Sequence, residues 1–525
     1  MLSMTQLINR ASQTQGELIA TSYFDQVLGK LREQTWIQYQ HKIACFASGL
    51  HELGVVNDDT VAILALNSDR YFEFMFAVPW AGAVFQPINT RLAGPELTFW
   101  LNDSEAKVLF VDSAFVQIVN EIRSELNHIE SIVFLDDGDT PEGYLSYHSI
   151  VSSDPIADSN RHGDDLAGLF YTGGTTGRSK GVKLSHTNLV INAMQTVPLI
   201  DCQEKDRILH IAPMFHIADA FICMSSVITC GSNYFLPAFD PSALMKIVQA
   251  SKIERMLLVP TMVNILVNHP DIGDYDLKSI RGIVYGASPM PEPVIKKAMS
   301  VMPQTHFYQA YGQTEAAPVI TILSAERHVF EGPLSGKMKS AGQAVPGVDL
   351  VIMDDDGKVA GTDEVGEICM RGPNVMLGYR NLADQTAATI VDGWLHTGDG
   401  GYLDKDGFLS IVDRVKDMII SGGENVYSAE VEASIYQHHG VNQCAVIGIP
   451  SEKWGEAVHA IVVLHEDAVI GEKALIAHCK KLIAGFKCPQ SVSFRSEPLP
   501  LSGAGKILKT ELRLPFWAGK NKNVS

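Results

Sequence analysis

The most informative stretch of the sequence is a run of eleven residues: Tyr171-Thr172-Gly173-Gly174-Thr175-Thr176-Gly177-Arg178-Ser179-Lys180-Gly181. It follows a short apolar run and combines four glycines, three threonines and two cations. Such a loop lets backbone N–H groups approach a polyphosphate, while hydroxyls and cations complete the shell. It is not a Walker A loop, because Lys180 is followed by Gly181 and not by Ser or Thr. The alternative is a solvated Gly/Thr turn, and the loop alone does not decide between the two.

Apolar residues recur at two different spacings on either side of this loop. Spacings of three and four predict an amphipathic helix closed by Gly54 and formed by Trp36, Tyr39, Ile43, Phe46, Leu50 and Leu53. Short apolar runs predict strands at 61–66, 108–111, 132–135, 169–171, 208–212, 256–259 and 283–285. Because helical patterns separate these runs, the sequence predicts an α/β fold, with a large domain of parallel sheets covered by helices.

The pattern changes beyond residue 340. Apolar runs at 348–353, 366–370 and 408–412 alternate with Asp/Gly turns, which predicts a small antiparallel β unit on the large domain. The following segment is mixed, helical at 431–436 and 473–483 and extended at 443–449 and 458–463, and predicts a smaller α+β C-terminal domain. We therefore expect a boundary near 413–417, with a large N-terminal domain at 1–414 and a small C-terminal domain at 415–525.

Composition restricts the kinds of partner. The 525 residues contain 41 Lys and Arg against 60 Asp and Glu, a formal charge of −19 that disfavours nucleic acid as a partner. The first residues lack a signal-peptide pattern, and the longest uncharged stretch, 74–90, is too short to span a bilayer. The eight cysteines form no CxxC pair, so neither a zinc site nor a disulfide framework is indicated. We expect a cytoplasmic protein without a transmembrane segment; whether it forms a homodimer is left open.

Five further motifs follow the Gly-rich loop in order. They are Tyr311-Gly312-Gln313-Thr314-Glu315, Gly393-Trp394-Leu395-His396-Thr397-Gly398-Asp399, Asp413-Arg414-Val415-Lys416-Asp417, Ser421-Gly422-Gly423-Glu424-Asn425 and Gly503-Ala504-Gly505-Lys506. The set resembles the adenylate-forming superfamily of acyl-CoA synthetases, carrier-protein adenylation domains and firefly-type luciferases. The resemblance runs from about residue 35 to 513, and is strongest to bacterial fatty-acyl-CoA and aryl-CoA ligases.

The resemblance implies a two-step reaction that uses ATP, Mg²⁺ and CoA. A carboxylate attacks the α-phosphorus of ATP to give acyl-AMP and pyrophosphate, and the thiol of CoA then displaces AMP. The implied substrate is a medium- or long-chain fatty acid or an aryl carboxylic acid. The implied C-terminal domain is mobile, because the two steps need different groups at one carbonyl.

The resemblance also assigns roles in the nucleotide site. Thr172 and Glu315 match positions associated with Mg²⁺, and Thr314 matches the contact to the α-phosphate, so Thr314 and Glu315 are implied to be catalytic. Asp399 is implied to accept both ribose hydroxyls and Arg414 to donate to the ribose. The implied phosphate loop comprises Gly173, Gly174, Thr175, Thr176, Gly177 and Lys180, and the adenine walls comprise Gly286, Ala287, Ser288, Gln309, Ala310 and Tyr311. Gly312 is also assigned to ATP binding. Each of these residues, taken singly, has an ordinary structural explanation. The ordered set of motifs favours a functional role for them.

The remaining assignments concern the acid and the thiol. Lys506 matches the lysine that reaches the reacting carboxylate and the α-phosphate, and Lys416 lies at the implied hinge. His216 matches a position that gates the acyl pocket and is linked to the thiol step. Amino-acid-activating domains commonly have Asp there, so His216 argues against an α-amino acid. The implied acyl pocket contains Phe215, His216, Asp219, Phe221 and Gly286, although Asp219 could also face away; implied CoA contacts are Ser421, Gly422, Gly423, Glu424, Trp454, Phe486 and Lys487.

The Gly-rich loop departs from the family pattern at two positions. The family usually has Ser or Thr at Gly173 and Pro at Ser179, so one hydroxyl and one rigid φ are lost. Two alternatives therefore stay open beside the CoA ligase. One is an acyl-AMP ligase or luciferase-like oxygenase of the same fold, and the other is a non-catalytic nucleotide-binding protein.

Overall fold

The structure is a computed structural model that describes residues 2–25, 29–172, 179–288, 290–354, 356–414, 418–421, 424–451, 454–502 and 507–518. At 25, 413, 414, 420, 424 and 425 only the backbone is described. Fifteen α-helices lie in these ranges: α1 Met4–Gln15, α2 Trp36–Glu52, α3 Asp69–Trp80, α4 Gly94–Asp103, α5 Val116–Ile122, α6 Tyr147–Ile150, α7 His186–Thr196, α8 Ile217–Ile228, α9 Pro241–Ser251, α10 Pro260–Val267, α11 Glu292–Val301, α12 Ala383–Thr389, α13 Ser428–Tyr436, α14 Glu472–Cys479 and α15 Lys509–Trp517. None of them is long and apolar enough to cross a membrane.

The strands of the large domain form two main sheets. Sheet A contains β1 Ile19–Asp25, β2 Lys30–Thr35, β10 Arg207–His210, β11 Ser232–Phe235, β12 Arg255–Leu258, β13 Gly282–Gly286, β14 His306–Gly312, β15 Val319–Leu323 and β16 Gln343–Ala344. Sheet B contains β3 Thr60–Leu64, β4 Val84–Pro87, β5 Val108–Val111, β6 Ser131–Phe134, β7 Leu145–Ser146, β8 Leu166–Thr172, β9 Lys180–Ser185 and β19 Gly378–Tyr379.

Sheet A has the order β16-β15-β14-β13-β12-β10-β11-β1-β2, with parallel pairing from β14 to β1 and antiparallel pairing at both edges. Sheet B has the order β19-β9-β8-β4-β3-β5-β6-β7 and is parallel from β8 to β7. All residues of β3, β5 and β12 are buried. Parallel strands covered by helices on both faces need such continuous apolar runs, which is why the sequence predicted them.

The predicted antiparallel unit is also confirmed. It consists of β17 Asp349–Met353, β18 Gly366–Arg371, β20 Ile390–Val391, β21 Trp394–Leu403 and β22 Leu409–Arg414. The C-terminal part forms a fourth sheet from β23 Ile419–Ser421, β24 Glu424–Val426, β25 Val441–Ser451, β26 Gly455–Leu464 and β27 Ser491–Arg495, with α13 and α14 packed on its own core. The α+β character of this part is thus confirmed, whereas the boundary near 413–417 falls partly outside the described residues and stays a prediction.

The segment before residue 36 was not predicted. Helix α1 is followed by the hairpin β1–β2, and β1 extends sheet A by pairing in parallel with β11. The polar strand β2 forms the outer edge of that sheet and gave no apolar run in the sequence.

Candidate active site

One group of the predicted site residues lies at one edge of sheet A. The strands β14, β13, β12 and β10 are adjacent and parallel, so their carboxyl ends meet at the same edge. Ligands of α/β proteins bind at this edge, outside the ends of the strands. His216 follows β10, Ala287 and Ser288 follow β13, and Thr314 and Glu315 follow β14.

Glu315 lies in a 3₁₀ turn, Thr314–Ala316, directly after β14. Its backbone carbonyl accepts from Met376 N at 2.9 Å. Its side-chain Oε1 accepts from the Tyr379 hydroxyl at 2.8 Å, and Oε2 has no hydrogen-bond partner among the described residues. Burial and the neighbouring Glu315 charge together raise the pKa of Tyr379, so the phenol stays protonated and donates.

Tyr379 also connects Glu315 to the Gly-rich loop. It belongs to β19, which pairs with β9, and the Nζ atom of Lys180 lies 4.7 Å from the centroid of its ring. Thr172 and Lys180 are cross-strand partners in β8 and β9, so the loop closes a hairpin between them. Lys180 and Glu315 thus both contact Tyr379, and Thr172 lies opposite Lys180 in the backbone register.

Asp399 lies on β21 and is held by a residue of β14. The Tyr311 hydroxyl donates to Asp399 Oδ2 at 2.8 Å. The preceding residue of β21, Gly398, has φ +72°, and its N–H donates to Glu367 Oε1 at 2.9 Å. In β22 the cross-strand partner of Asp399 is Arg414, so the two residues assigned to the ribose are adjacent in the backbone register.

Close backbone approach explains two glycines of the predicted ATP site. A Cβ on Gly286 would lie 2.2 Å from the carbonyl oxygen of Ala310, and one on Gly312 would lie 1.8 Å from that of Pro318. Ala287 has φ +68°, a left-handed conformation that non-glycine residues adopt at a cost. Such conformations concentrate at functional sites. Gln309 Oε1 lies 3.2 Å from the Tyr285 hydroxyl.

His216 is the N-cap of α8 and is partly exposed. Its Nδ1 accepts from Ala218 N at 3.2 Å. Phe215 is also partly exposed, whereas Phe221 is 3% exposed and packs in the main core. Phe215 and His216 are thus partly accessible, whereas core residues surround Phe221.

The structure answers the question about the orientation of Asp219. The residue is fully buried, and its Oδ2 lies 2.9 Å from His210 Nδ1. Asn233 donates through Nδ2 to Ala20 O at 2.8 Å, so its Oδ1 accepts, and the His210 Nε2–H donates to that oxygen at 2.9 Å. Asp219, assigned to the acyl pocket from the sequence, thus has a buried structural partner on β10.

The predicted CoA residues have diverse surroundings. Ser421 is buried, whereas Trp454 and Phe486 are 39% and 48% exposed. Lys487 Nζ lies 2.8 Å from both carboxylate oxygens of Glu430.

Several assigned residues lie outside the described residues: Gly173, Gly174, Thr175, Thr176, Gly177, Lys416, Gly422, Gly423 and Lys506. For Glu424 and Arg414 only the backbone is described.

Two contacts of the site were missed by sequence reasoning. Tyr379 lies in a strand of two residues, which is too short to give a periodic pattern, and Glu367 lies at the beginning of β18. A tyrosine or a glutamate at such positions is unremarkable until the partner residue is known. Their roles depend on contacts to residues far away in the sequence.

Two family models match the chain. The model described as AMP-binding enzyme matches residues 8–380, and the model described as AMP-binding enzyme C-terminal domain matches residues 430–506. The chain belongs to the AMP-binding enzyme family. This confirms the resemblance to adenylate-forming enzymes.

Individual members of the family are similar over almost the whole length. A feruloyl-CoA synthase from Amycolatopsis sp. is 38% identical over 486 residues, covering 92% of this chain and 94% of that protein. The long-chain-fatty-acid–CoA ligase FadD13 from Mycobacterium tuberculosis is 34% identical and covers 90% and 91%. The crystal structure of the anthranilate CoA ligase AuaEII with anthranoyl-AMP has a TM-score of 0.89 at 26% identity, covering 97% and 96%. The match to the family model and the similarity to these relatives show that the chain is an AMP-forming acyl-CoA synthetase that uses ATP and CoA.

Proposed function

We propose that this family member activates a hydrophobic carboxylic acid, either aryl or medium- to long-chain aliphatic, and transfers it to CoA. The observation that carries the proposal is the convergence of two hydroxyl–carboxylate pairs at one sheet edge. Tyr379 holds Glu315 beside Lys180, and Tyr311 holds Asp399. This arrangement suits a nucleotide with its phosphates at the first pair and its ribose at the second.

The first step places negative charge on the phosphates. Asp399 accepts from the ribose hydroxyls, and Thr314 donates to the α-phosphate. Lys180, the first residue of β9 after the Gly-rich loop, neutralises phosphate charge. Lys506 supplies the cation that bridges the attacking carboxylate and the α-phosphate, where charge develops in the transition state.

A magnesium ion fits the residues around Glu315. Mg²⁺ prefers one or two carboxylates together with phosphate oxygens and water. Glu315 has one oxygen fixed by Tyr379 and the other without a described partner, and Thr172 adds a hydroxyl. The ion would neutralise phosphate charge in this site.

The acid-binding side favours an apolar substrate. Phe215 and His216 are accessible at the beginning of α8, and the one carboxylate of its first turn, Asp219, is buried against His210. Within the described first turn of α8, an α-amino acid would therefore find no available carboxylate for its ammonium group. Relatives named for ferulate, indoleacetate and long-chain fatty acids are consistent with a hydrophobic acid.

The second step needs the thiol in place of Lys506. We assign this step to His216 and to the CoA contacts near Ser421, Trp454 and Phe486, with Lys416 as the hinge. Trp454 and Phe486 offer exposed aromatic surface to the nucleotide of CoA. We expect the enzyme to act in the cytoplasm.

A release assay tests the proposal. The purified chain is given MgATP and acetate, octanoate or a hydroxycinnamate, with and without CoA, and pyrophosphate, AMP and acyl-CoA are quantified. We expect kcat/KM to increase from acetate to the larger acids, since each buried CH₂ contributes about 0.8 kcal/mol. Glu315→Ala is the inactive control. A preference for acetate, or no pyrophosphate with any acid, would contradict the proposal.

A further inference from the structure

The loop that carries His216 is fastened by a side chain from the other sheet. Asn67 follows β3 of sheet B and is 4% exposed. Its Nδ2 donates to the carbonyl of Ala212 at 2.8 Å, and its Oδ1 accepts from the N–H of Met214 at 2.8 Å. The two bonds enclose Pro213, which has no N–H to offer. After β10 ends, the side-chain amide of Asn67 thus supplies the backbone hydrogen bonds that a neighbouring strand would otherwise make.

The fastened segment leads directly to the histidine. His216 N donates to Pro213 O at 3.0 Å, and the next residue begins α8. The position of the imidazole therefore depends on the residues that Asn67 holds. The helix side of the same turn is fixed independently, through Asp219 and His210.

The backbone around Asn67 is also held by hydrogen bonds. Asn67 N donates to Pro237 O at 3.4 Å, and the preceding Leu66 N donates to Asp112 Oδ2 at 2.7 Å. Ser68 caps α3 by accepting from Tyr71 N at 3.1 Å. A buried side chain with both of its polar atoms bonded and a rigid backbone on either side is a suitable support for a functional loop.

We propose that Asn67 is a positioning residue for His216, and that it couples the carboxyl ends of sheets A and B in the thioester-forming step. The inference rests on the proposed function, because it takes His216 to serve that step. Asn67 itself does not touch the substrate in this assignment. Its contribution is to keep the imidazole where the thiol and the acyl carbonyl meet, and a displacement of about 1 Å in such a group can lower a rate roughly 100-fold.

A double-mutant cycle tests the inference on the intact enzyme. Asn67→Ala, His216→Ala and the double variant are compared for conversion of supplied acyl-AMP and CoA to thioester, and for acyl-AMP formation. We expect Asn67→Ala to slow thioester formation at least tenfold while the KM for ATP stays within about twofold. In the His216→Ala background the same substitution should cost no more than about twofold, since residues acting through one another are not additive.

Two further variants control for folding. Asn102→Ala removes a similar pair of hydrogen bonds at a more exposed site, where Nδ2 donates to Glu125 O at 2.9 Å and Oδ1 accepts from Asn127 N at 2.8 Å, and it should leave both steps unchanged. If Asn67→Ala does not fold, Asn67→Ser takes its place, because its shorter side chain breaks the double contact without adding a charge to this buried position.

The outcomes separate the inference from the function on which it rests. Equal losses in the two backgrounds, or an Asn67 variant with normal thioester formation, would overturn the positioning role while the wild-type enzyme remains a CoA ligase. A wild-type enzyme that makes no thioester with any acid would overturn the proposed function instead. A non-additive loss of rate that is confined to thioester formation would support the positioning role of Asn67.

Discussion

The hydroxyl of Tyr379 offers a direct test of how Glu315 is held. Tyr379→Phe removes the hydrogen bond to Glu315 Oε1, together with the contact of the phenol with Thr389, and keeps the ring beneath Lys180. A hydrogen bond to a charged group contributes about 1.5–3 kcal/mol, which corresponds to roughly 10- to 150-fold. Because Glu315 is partly exposed and water can replace the hydroxyl, we expect the lower end, about a tenfold loss in kcat/KM for MgATP.

The assay is pyrophosphate release at varied MgATP with a saturating acid. Tyr144→Phe is the matched control, since that hydroxyl also donates to a side chain, Asn120 Oδ1 at 2.9 Å, on an outer layer of sheet B. Both variants should unfold at similar urea concentrations. A change of less than twofold for Tyr379→Phe would refute the reasoning, because Glu315 would then need no support from the phenol.

Three further predictions concern other groups. Tyr311→Phe should raise the KM for ATP up to about tenfold by removing one hydrogen bond to Asp399; an unchanged KM would contradict this. Lys506→Ala should slow acyl-AMP formation by about 10²–10³ and spare the conversion of supplied acyl-AMP, so equal losses in single-turnover measurements would contradict it. Burial lowers the pKa of His328 to about 4, so its stabilising contribution is present above pH 6.5 and is lost as the pH falls toward 4. Urea unfolding should show about 2 kcal/mol of this loss at pH 5, and His328→Gln should show less; an equal loss would be inconsistent.

The elements that the sequence predicted are those whose pattern is local. Runs such as 108–111 are buried on both faces in parallel strands, and this requirement is visible in a single sequence. The helix that begins at Trp36 shows its capping box, with Thr35 and Gln38, and its apolar stripe within seventeen residues. The polar hairpin before it depends on a partner strand far away in the sequence, and nothing in its own composition indicates that pairing.

The candidate site divides in the same way. Glu315 and Asp399 lie in short motifs, so a family resemblance could indicate them. Two residues that hold site side chains in place lie outside these motifs, so the resemblance could not indicate them. Tyr379 and Asn67 act through contacts with residues more than sixty and more than a hundred positions away, respectively. The orientation of Asp219 depends on which side of α8 faces His210, and the spacing of apolar residues in that helix is too uniform to fix it.

The pairing of β1 with β11 has a consequence for biosynthesis. Residues 19–25 leave the ribosome more than two hundred residues before the strand at 232–235 against which they lie, where Ser232 Oγ donates to Ile19 O at 2.6 Å. At about 5–20 residues per second the early hairpin waits on the order of 10–40 s for its partner. During that interval its edge is unpaired, and such edges promote aggregation. Yield in a heterologous host should therefore depend on translation speed and chaperone supply across the first half of the chain.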